Sequence, residues 1–257
     1  MDIVREGFFA FLEDIAPPEA GFSLFGGTHL AALGLTILLA IAMCYLCKRL
    51  SDDRRWLLFR LWVVMILLME IIQQFTFPFI HGNYWLCHIP LHMCGLLMFI
   101  EAAHVTRPNK FTGEVLYALG LPGAVAAMLF PNWTMAPITN FYALQSFVIH
   151  AFHIVFVIML LFTGNIRPSF RGLWRPALFL LIVLPPIYLF NTITGTNFFF
   201  LNAGSAGSPL EALIDIFGNP GFLIPYAGIL GFVWVLMYLP WGIRAKMIDT
   251  ETKLFRH

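Results

Sequence analysis

Seven long apolar runs, joined by connections that alternate in charge, constrain this chain more than any other feature. A helix needs about 20 mostly apolar residues to cross the hydrocarbon core of a bilayer. Runs of that kind fall at roughly 28–47, 56–76, 85–105, 113–130, 141–163, 173–193 and 221–241. Composition agrees: 60% of residues are hydrophobic and 11% charged, where a soluble domain carries about 25% charged residues. Such a surface cannot be covered in water, so lipid is the solvent. The predicted fold class is all-α, a single polytopic membrane domain over 1–257. The net charge of +1 leaves no electrostatic footprint for nucleic acid.

The basic residues fix an orientation. Lys48, Arg49, Arg54, Arg55 and Arg60 surround the first connection; Arg107 and Lys110 the third; Arg167, Arg171 and Arg175 the fifth. Arg244, Lys246, Lys253 and Arg256 follow the last run, so fourteen of the 15 Lys and Arg residues fall on one side and only Arg5 on the other. Positive-inside bias then places the N-terminus outside and the C-terminus in the cytoplasm of a cell-membrane protein. Two outer segments are more than loops. Within 1–20, Val4, Phe8, Phe11, Leu12 and Ile15 share a helical face, which predicts an interfacial segment; this stretch lacks the apolar core of a cleavable signal peptide. The long connection 194–220 contains Ser208-Pro209-Leu210-Glu211, a capping box with Pro at the first helical position, predicting a short helix that serves as a lid or an interfacial anchor. Pro185-Pro186 predicts a kink in the sixth run.

Sorted by depth, the intramembrane polar residues gather in the outer half. His29 opens the first run; Glu70, Gln73 and Gln74 end the second; His88 and His92 open the third; Gln145, Ser146, His150 and His153 open the fifth; Asn191 ends the sixth, followed by Asn197. The inner half looks poor in such groups, with Glu101 and His104 expected in solvent at its edge. Polar side chains facing lipid are costly, so these should face one another, and intramembrane ionisable residues are functional candidates. A hydrogen-bond network that only holds the bundle together is the plain alternative. Histidine is the usual general base near neutral pH, and Thr28, Ser146, Cys87 and Cys94 are the nucleophiles within reach of a histidine in sequence. The four cysteines lie in apolar runs, and Cys44 and Cys47, though spaced CxxC, have no second pair; no metal or cofactor is predicted.

Phe22-Ser23-Leu24-Phe25 with His29-Leu30, Ile89-Pro90-Leu91-His92-Met93-Cys94, Gln145-Ser146-Phe147-Val148-Ile149-His150, and Asn191 with Gly195-Thr196-Asn197-Phe198 occur in an order that resembles the YwaF-type bacterial integral membrane proteins. The likeness runs from about residue 22 to 240, with Pro131-Asn132 and Gly218-Asn219-Pro220 also fitting. It implies the fold better than an activity. A distant animal branch, transmembrane protein 164, is described as an acyltransferase acting on ether phospholipids through a Cys and a His. In that branch the Cys directly precedes the helix-three His, where this chain has Leu91 before His92. The second His directly follows the helix-five Gln, where this chain has Ser146 and reaches His150 four residues later. Neither catalytic residue therefore stands at its family place.

The resulting expectation is a lipid-modifying or lipid-binding protein, acyltransferase- or hydrolase-like, whose partners are membrane lipids. His92, as first choice, and His150 would act as base or acid, with Glu70 orienting them. Gln145 and Asn191 would supply oxyanion or headgroup donors, and His29, His88, Ser146, His153 and Asn197 would complete the substrate site. A small-solute or proton-coupled transporter, a haem or quinone protein and a non-catalytic receptor or partner subunit are the rivals. The topology is testable on its own. A reporter active only in the cytoplasm, fused after His257, should give signal; a silent one, with an active periplasmic reporter at the same site, contradicts the orientation.

Overall fold

The computed structural model describes residues 8, 21–81, 86, 89–204 and 208–254. The helices are α1 (Gly27–Arg49), α2 (Asp52–His81), α3 (Met93–Thr106), α4 (Lys110–Leu129), α5 (Phe141–Phe162), α6 (Trp174–Thr194), α7 (Pro209–Phe217) and α8 (Leu223–Leu254). No strand occurs among the described residues. Six helices are long and apolar enough to cross a membrane: all but α3 and α7. The predicted segment 1–20 lies outside the described residues except for Phe8.

α5 is the hub. It packs against α1, α2, α3 and α4, and with α4 it is the most buried of the six long helices. Phe156, Val157, Met159 and Leu160 on α5 meet Phe59 and Ile66 on α2 and Leu97 on α3 in one core. The outer helices turn apolar faces outward: Leu35, Leu38 and Ile41 on α1, Leu181 and Ile182 on α6 and Phe232 on α8 are all exposed. An apolar surface of that extent is unsuited to water and suited to lipid.

The third predicted run departs from expectation. Helix begins only at Met93 and ends at Thr106, 14 residues, or about 21 Å at 1.5 Å per residue, short of a hydrocarbon core of about 30 Å. Pro90 is the physical reason. It lacks an N–H and disfavours helical backbone in the residue before it. The chain instead makes a tight turn, with Leu91 N–H donating to the Ile89 carbonyl at 2.7 Å, before His92 caps α3 with extended backbone. Gly95 fits beneath this turn because a Cβ there would stand 2.6 Å from Pro90 Cα.

The half of the bundle nearer the basic connections is also richer in buried polar groups than hydropathy suggests. Glu101 and His104, expected in solvent, are 0% and 1% exposed. Glu101 Oε1 meets His153 Nδ1 at 2.9 Å, joining α3 to α5, and His104 Nδ1 meets Thr112 Oγ1 at 2.8 Å. Tyr238 on α8 donates to Glu114 Oε2 at 2.5 Å, and Ser169 N–H donates to the other oxygen of Glu114 at 3.2 Å. Trp62 Nε1 donates to the Phe152 carbonyl and Trp234 Nε1 to that of Ala118. Helices α2, α3, α4, α5 and α8 are thus tied at this level by side chains that leave little for lipid to see.

The double proline leaves α6 a continuous helix through Pro185 and Pro186. Gly195, in left-handed backbone at φ 72°, ends it. The short helix α7 forms where the capping pattern predicts, with Ser208 Oγ accepting from Leu210 N–H at 3.3 Å. Leu210, Leu213 and Ile214 are half-buried and Phe217 is exposed.

The Glu101–His153 pair carries the clearest stability prediction. Removing one partner of a buried pair strands the other and costs about 3–5 kcal/mol, whereas an apolar pair of similar volume restores much of that. Glu101→Ala and His153→Ala should each lower the unfolding temperature in detergent sharply. Glu101→Met combined with His153→Leu should lose less than either. A double variant as unstable as the sum of the singles contradicts the pairing.

Candidate functional site

A cavity of about 130 Å³ lies where α2, α5 and the bend before α3 meet. Glu70 and Gln73 face it from α2; Gln145, Ser146, Ile149 and His150 from α5; Pro90, His92, Cys94 and Gly95 from the bend and the first turn of α3. The helical period puts each set on one face: residues 70 and 73 are three apart, 146 and 149 are three apart, and the pairs 145 and 149 and 146 and 150 are four apart. With a water occupying about 30 Å³ of liquid, the space admits a reacting group and a few waters rather than a whole lipid.

The two histidines present different nitrogens. His150 Nδ1 contacts the Ser146 carbonyl at 2.6 Å. A carbonyl only accepts, so the proton sits on Nδ1 and neutral His150 carries its lone pair on Nε2. His92 Nδ1 instead accepts the Phe199 N–H at 3.3 Å. That nitrogen holds the lone pair, so the His92 proton sits on Nε2. One ring is built as a base and the other as a donor. The Trp133 ring stacks on His150 at 5.4 Å and 18°. Phe198 and Phe200 flank His92 with centroids 5.0 and 5.3 Å away.

Backbone strain delivers the N–H that His92 accepts. Phe199 and Phe200 both hold left-handed backbone, at φ 57° and 54°, which costs a non-glycine residue about 1–3 kcal/mol. Asn191 supplies the compensation. Fully buried, it accepts from Phe198 N–H and donates to the Phe198 carbonyl, both at 2.9 Å, and accepts from Thr196 Oγ1 at 3.0 Å. Tyr226 adds a bond from its hydroxyl to the Phe199 carbonyl at 3.4 Å.

Two acceptor or donor groups in the cavity are left for a ligand. Gln145 is 8% exposed, and its side-chain nitrogen is buried without a partner among the described residues. An unmet buried donor costs about 1–3 kcal/mol, so it is a natural donor to an incoming oxygen. Glu70, 9% exposed, accepts from Gln74 Nε2 at 2.8 Å on one oxygen only. Cys94 is a free, half-buried thiol on the same wall.

Of the residues predicted for the site, Glu70, His92, Gln145, Ser146 and His150 meet here, and four others among the described residues do not. His29 is fully buried elsewhere: its Nδ1 accepts from Phe25 N–H at 2.8 Å and its Nε2 donates to the Met128 carbonyl at 2.7 Å, lashing α1 to the end of α4. His153 points one turn deeper, to Glu101. Asn191 clamps the Phe198 turn and acts on the cavity only through it. Asn197 folds the next bend, accepting from Asn202 N–H and Ala203 N–H at 3.0 and 3.1 Å. His88, with Cys87, lies outside the described residues. Glu70 is no orienter of His150 either, because the Ser146 carbonyl takes that nitrogen. Sequence reading passed over Trp133 and Phe199; the run Phe198-Phe199-Phe200 in a connection is the signal that marks the second. Among the described residues no three His, Cys, Asp or Glu side chains converge to hold a metal ion.

Apolar helices of spanning length around an inward-facing polar cavity define a multi-pass helical membrane protein. The profile of the TMEM164 family matches residues 24–238, and the chain belongs to that family. No curated protein matches the chain, and no solved structure does.

The opposite tautomers can be read directly. In ¹⁵N-histidine-labelled protein, the imidazole shifts should report the proton on Nε2 of His92 and on Nδ1 of His150. Asn191→Ala should free the Phe198 turn and leave His92 a mixture of tautomers while His150 keeps its own. The same tautomer on both rings in the unaltered protein contradicts the assignment.

Proposed function

We propose that the cavity transfers or hydrolyses acyl groups of membrane lipids. What carries this reading is the pairing of a histidine base, His150 Nε2, with two neutral N–H donors, His92 Nε2 and Gln145 Nε2, around one small space. In the proposed step, His150 takes the proton of a nucleophile whose heteroatom attacks the ester carbonyl. The oxyanion is held by His92 and Gln145, in the manner of other preorganised donor pairs. The imidazolium then gives its proton to the departing alkoxide, so His150 ends neutral. Cys94 is the thiol that lines the cavity: it would carry the acyl group as a thioester until water or an acceptor hydroxyl, deprotonated by His150 in turn, attacks the carbonyl, and His150 then returns that proton to the departing thiolate. The acyltransferase described for the animal branch also uses a thiol and a histidine, and membership of the TMEM164 family supports the reading. We further propose seven crossings in the cell membrane, with α3 in the third, and the N-terminus outside. The cavity, lying away from the basic connections, would then serve the outer leaflet.

Purified protein in liposomes, given a phospholipid labelled in one acyl chain and a lysolipid acceptor, tests this by lipid mass spectrometry. His150→Gln should cut transfer by about 10²-fold or more. His92→Phe, which removes one oxyanion donor, should lower kcat about 10²-fold with little change in KM. Cys94→Ala should abolish the thioester adduct. Folded variants that turn over lipid like the unaltered protein, or no turnover by that protein with either acceptor, would sink the reading.

One observation favours a second reading, a proton-coupled carrier. His153, Glu101 and His104 continue inward from His150, and Glu101 Oε2, His153 Nε2 and His104 Nε2 are buried without partners among the described residues. Those atoms are where a file of waters would bind. Proton flux into liposomes that Glu101→Gln removes would favour it over acyl transfer.

A further inference from the structure

A second cavity is larger than the one described above. A space of about 500 Å³ opens at the basic end, where the last turn of α5 and its following loop meet α8. Its walls are of two kinds. Leu161, Phe162, Pro168 and the Trp241 ring are apolar, and Arg167 and Arg244 bring two guanidinium groups. No carboxylate lines it, and among the described residues neither arginine forms an ion pair.

The shape is built rather than loose. The Leu160 carbonyl accepts both Asn165 N–H at 2.9 Å and Ile166 N–H at 3.2 Å, closing the end of α5. Gly164 turns the chain at φ 76°, and the Arg167 guanidinium lies over it, 3.6 Å from where a Cβ would stand. Trp241 is pinned by its indole N–H, which donates to Tyr117 Oη at 3.0 Å, and that hydroxyl donates to the Met237 carbonyl at 2.7 Å. The ring therefore offers its apolar surface while its one polar atom is occupied.

We infer that this cavity is a binding site for an anionic membrane phospholipid, with Arg167 and Arg244 on the phosphate and the Phe162–Trp241 wall along the start of an acyl chain. Charge argues against a cationic or zwitterionic preference: two guanidinium groups without an ion pair among the described residues, in a cavity that no carboxylate lines, select net negative charge, and guanidinium pairs with phosphate through parallel N–H donors. The apolar wall excludes a free anion as the preferred ligand, because phosphate alone leaves most of the space unfilled. Basic pockets between helices at this level are a recurrent form of anionic headgroup site. The site is separate from the acyl-transfer cavity: none of the residues lining one lines the other.

The test uses the full chain in a neutral detergent, titrated with phosphatidylglycerol, phosphatidylcholine or inorganic phosphate while thermal unfolding is followed. Phosphatidylglycerol should stabilise saturably, and phosphatidylcholine and phosphate should not. The Arg167→Gln/Arg244→Gln double variant should bind phosphatidylglycerol about tenfold or more weakly, the scale of two lost basic contacts to a headgroup. If the double variant is not recovered, each single variant should show several-fold weakening. Arg54→Gln, at an exposed basic residue that does not line the cavity, should stay within about twofold of the unaltered chain, since one remote surface charge is largely screened. Equal stabilisation by phosphatidylcholine, an equal shift with phosphate alone, undiminished binding by the arginine variants, or an equal loss in Arg54→Gln would each overturn the site.

Discussion

Hydrocarbon offers no hydrogen bond, and the polar side chains of this bundle are arranged around that fact. His29 spends both ring nitrogens on the backbone of two helices. Glu101 meets His153, and Glu114 meets Tyr238 and Ser169. These pairings are how a polar group survives in such a medium when its work is structural. Glu101 Oε2 and His153 Nε2 are left over from that pairing without partners among the described residues, and the cavity between α2, α3 and α5 departs further from the pattern. There the Gln145 amide nitrogen has no partner, and two histidine rings are each held by the nitrogen facing away, leaving the other uncommitted. A bundle selected only for stability would fill 130 Å³ with apolar side chains.

The same constraint explains why irregular backbone gathers at this place. Non-helical chain at membrane depth is tolerated where protein or a water-filled cavity satisfies its polar groups. Pro90 delays the start of α3 and so leaves His92 outside the helical ladder, with its backbone extended and its ring free to turn toward α5. On the other side, the strained Phe199–Phe200 turn presents an N–H that an ordinary helix would have consumed. Asn191 holds that turn through both edges of Phe198. A buried asparagine more than 90 positions away in sequence thereby decides which nitrogen of His92 bears the proton.

How much of this the sequence displays depends on the range of each interaction. Hydropathy and charge report a solvent preference that every residue carries by itself, so an all-helical chain with several apolar spans, and Glu70, Gln145, Ser146 and His150 as polar exceptions within them, can be read without a structure. Helical spacing then places those groups on common faces. It fails one turn further on. His150 and His153 share a face of α5, yet the neighbour opposite the first is a cavity and opposite the second is Glu101, a fact fixed by how α3 slides against α5. Glu101 and His104 look like edge residues because a run of apolar residues ends near them, while the packing of α4 and α5 covers them. The late start of α3 escapes hydropathy because Pro90 changes backbone without changing the apolar average. His29, Asn191 and Asn197 sit at the right depth but spend themselves on local backbone, and depth says nothing about direction.

The arrangement of the two histidines also separates two roles that the sequence left interchangeable. A neutral imidazole whose lone pair is already engaged cannot take a proton from a nucleophile; it can only donate its remaining N–H, as a neutral histidine does when it polarises a carbonyl. His92 is in that condition, and His150 is in the opposite one. In the proposed acyl transfer, proton transfer would therefore fall to His150 and charge stabilisation to His92. This leaves Glu70 without the part a third member usually plays, since the Ser146 carbonyl, one turn back on the same helix, already orients His150. Its carboxylate instead faces the cavity with one oxygen bonded to Gln74. An acceptor so placed, a short reach from the reacting groups, suits a hydroxyl or ammonium on the substrate better than it suits the chemistry. It would choose which lipid enters rather than move its protons.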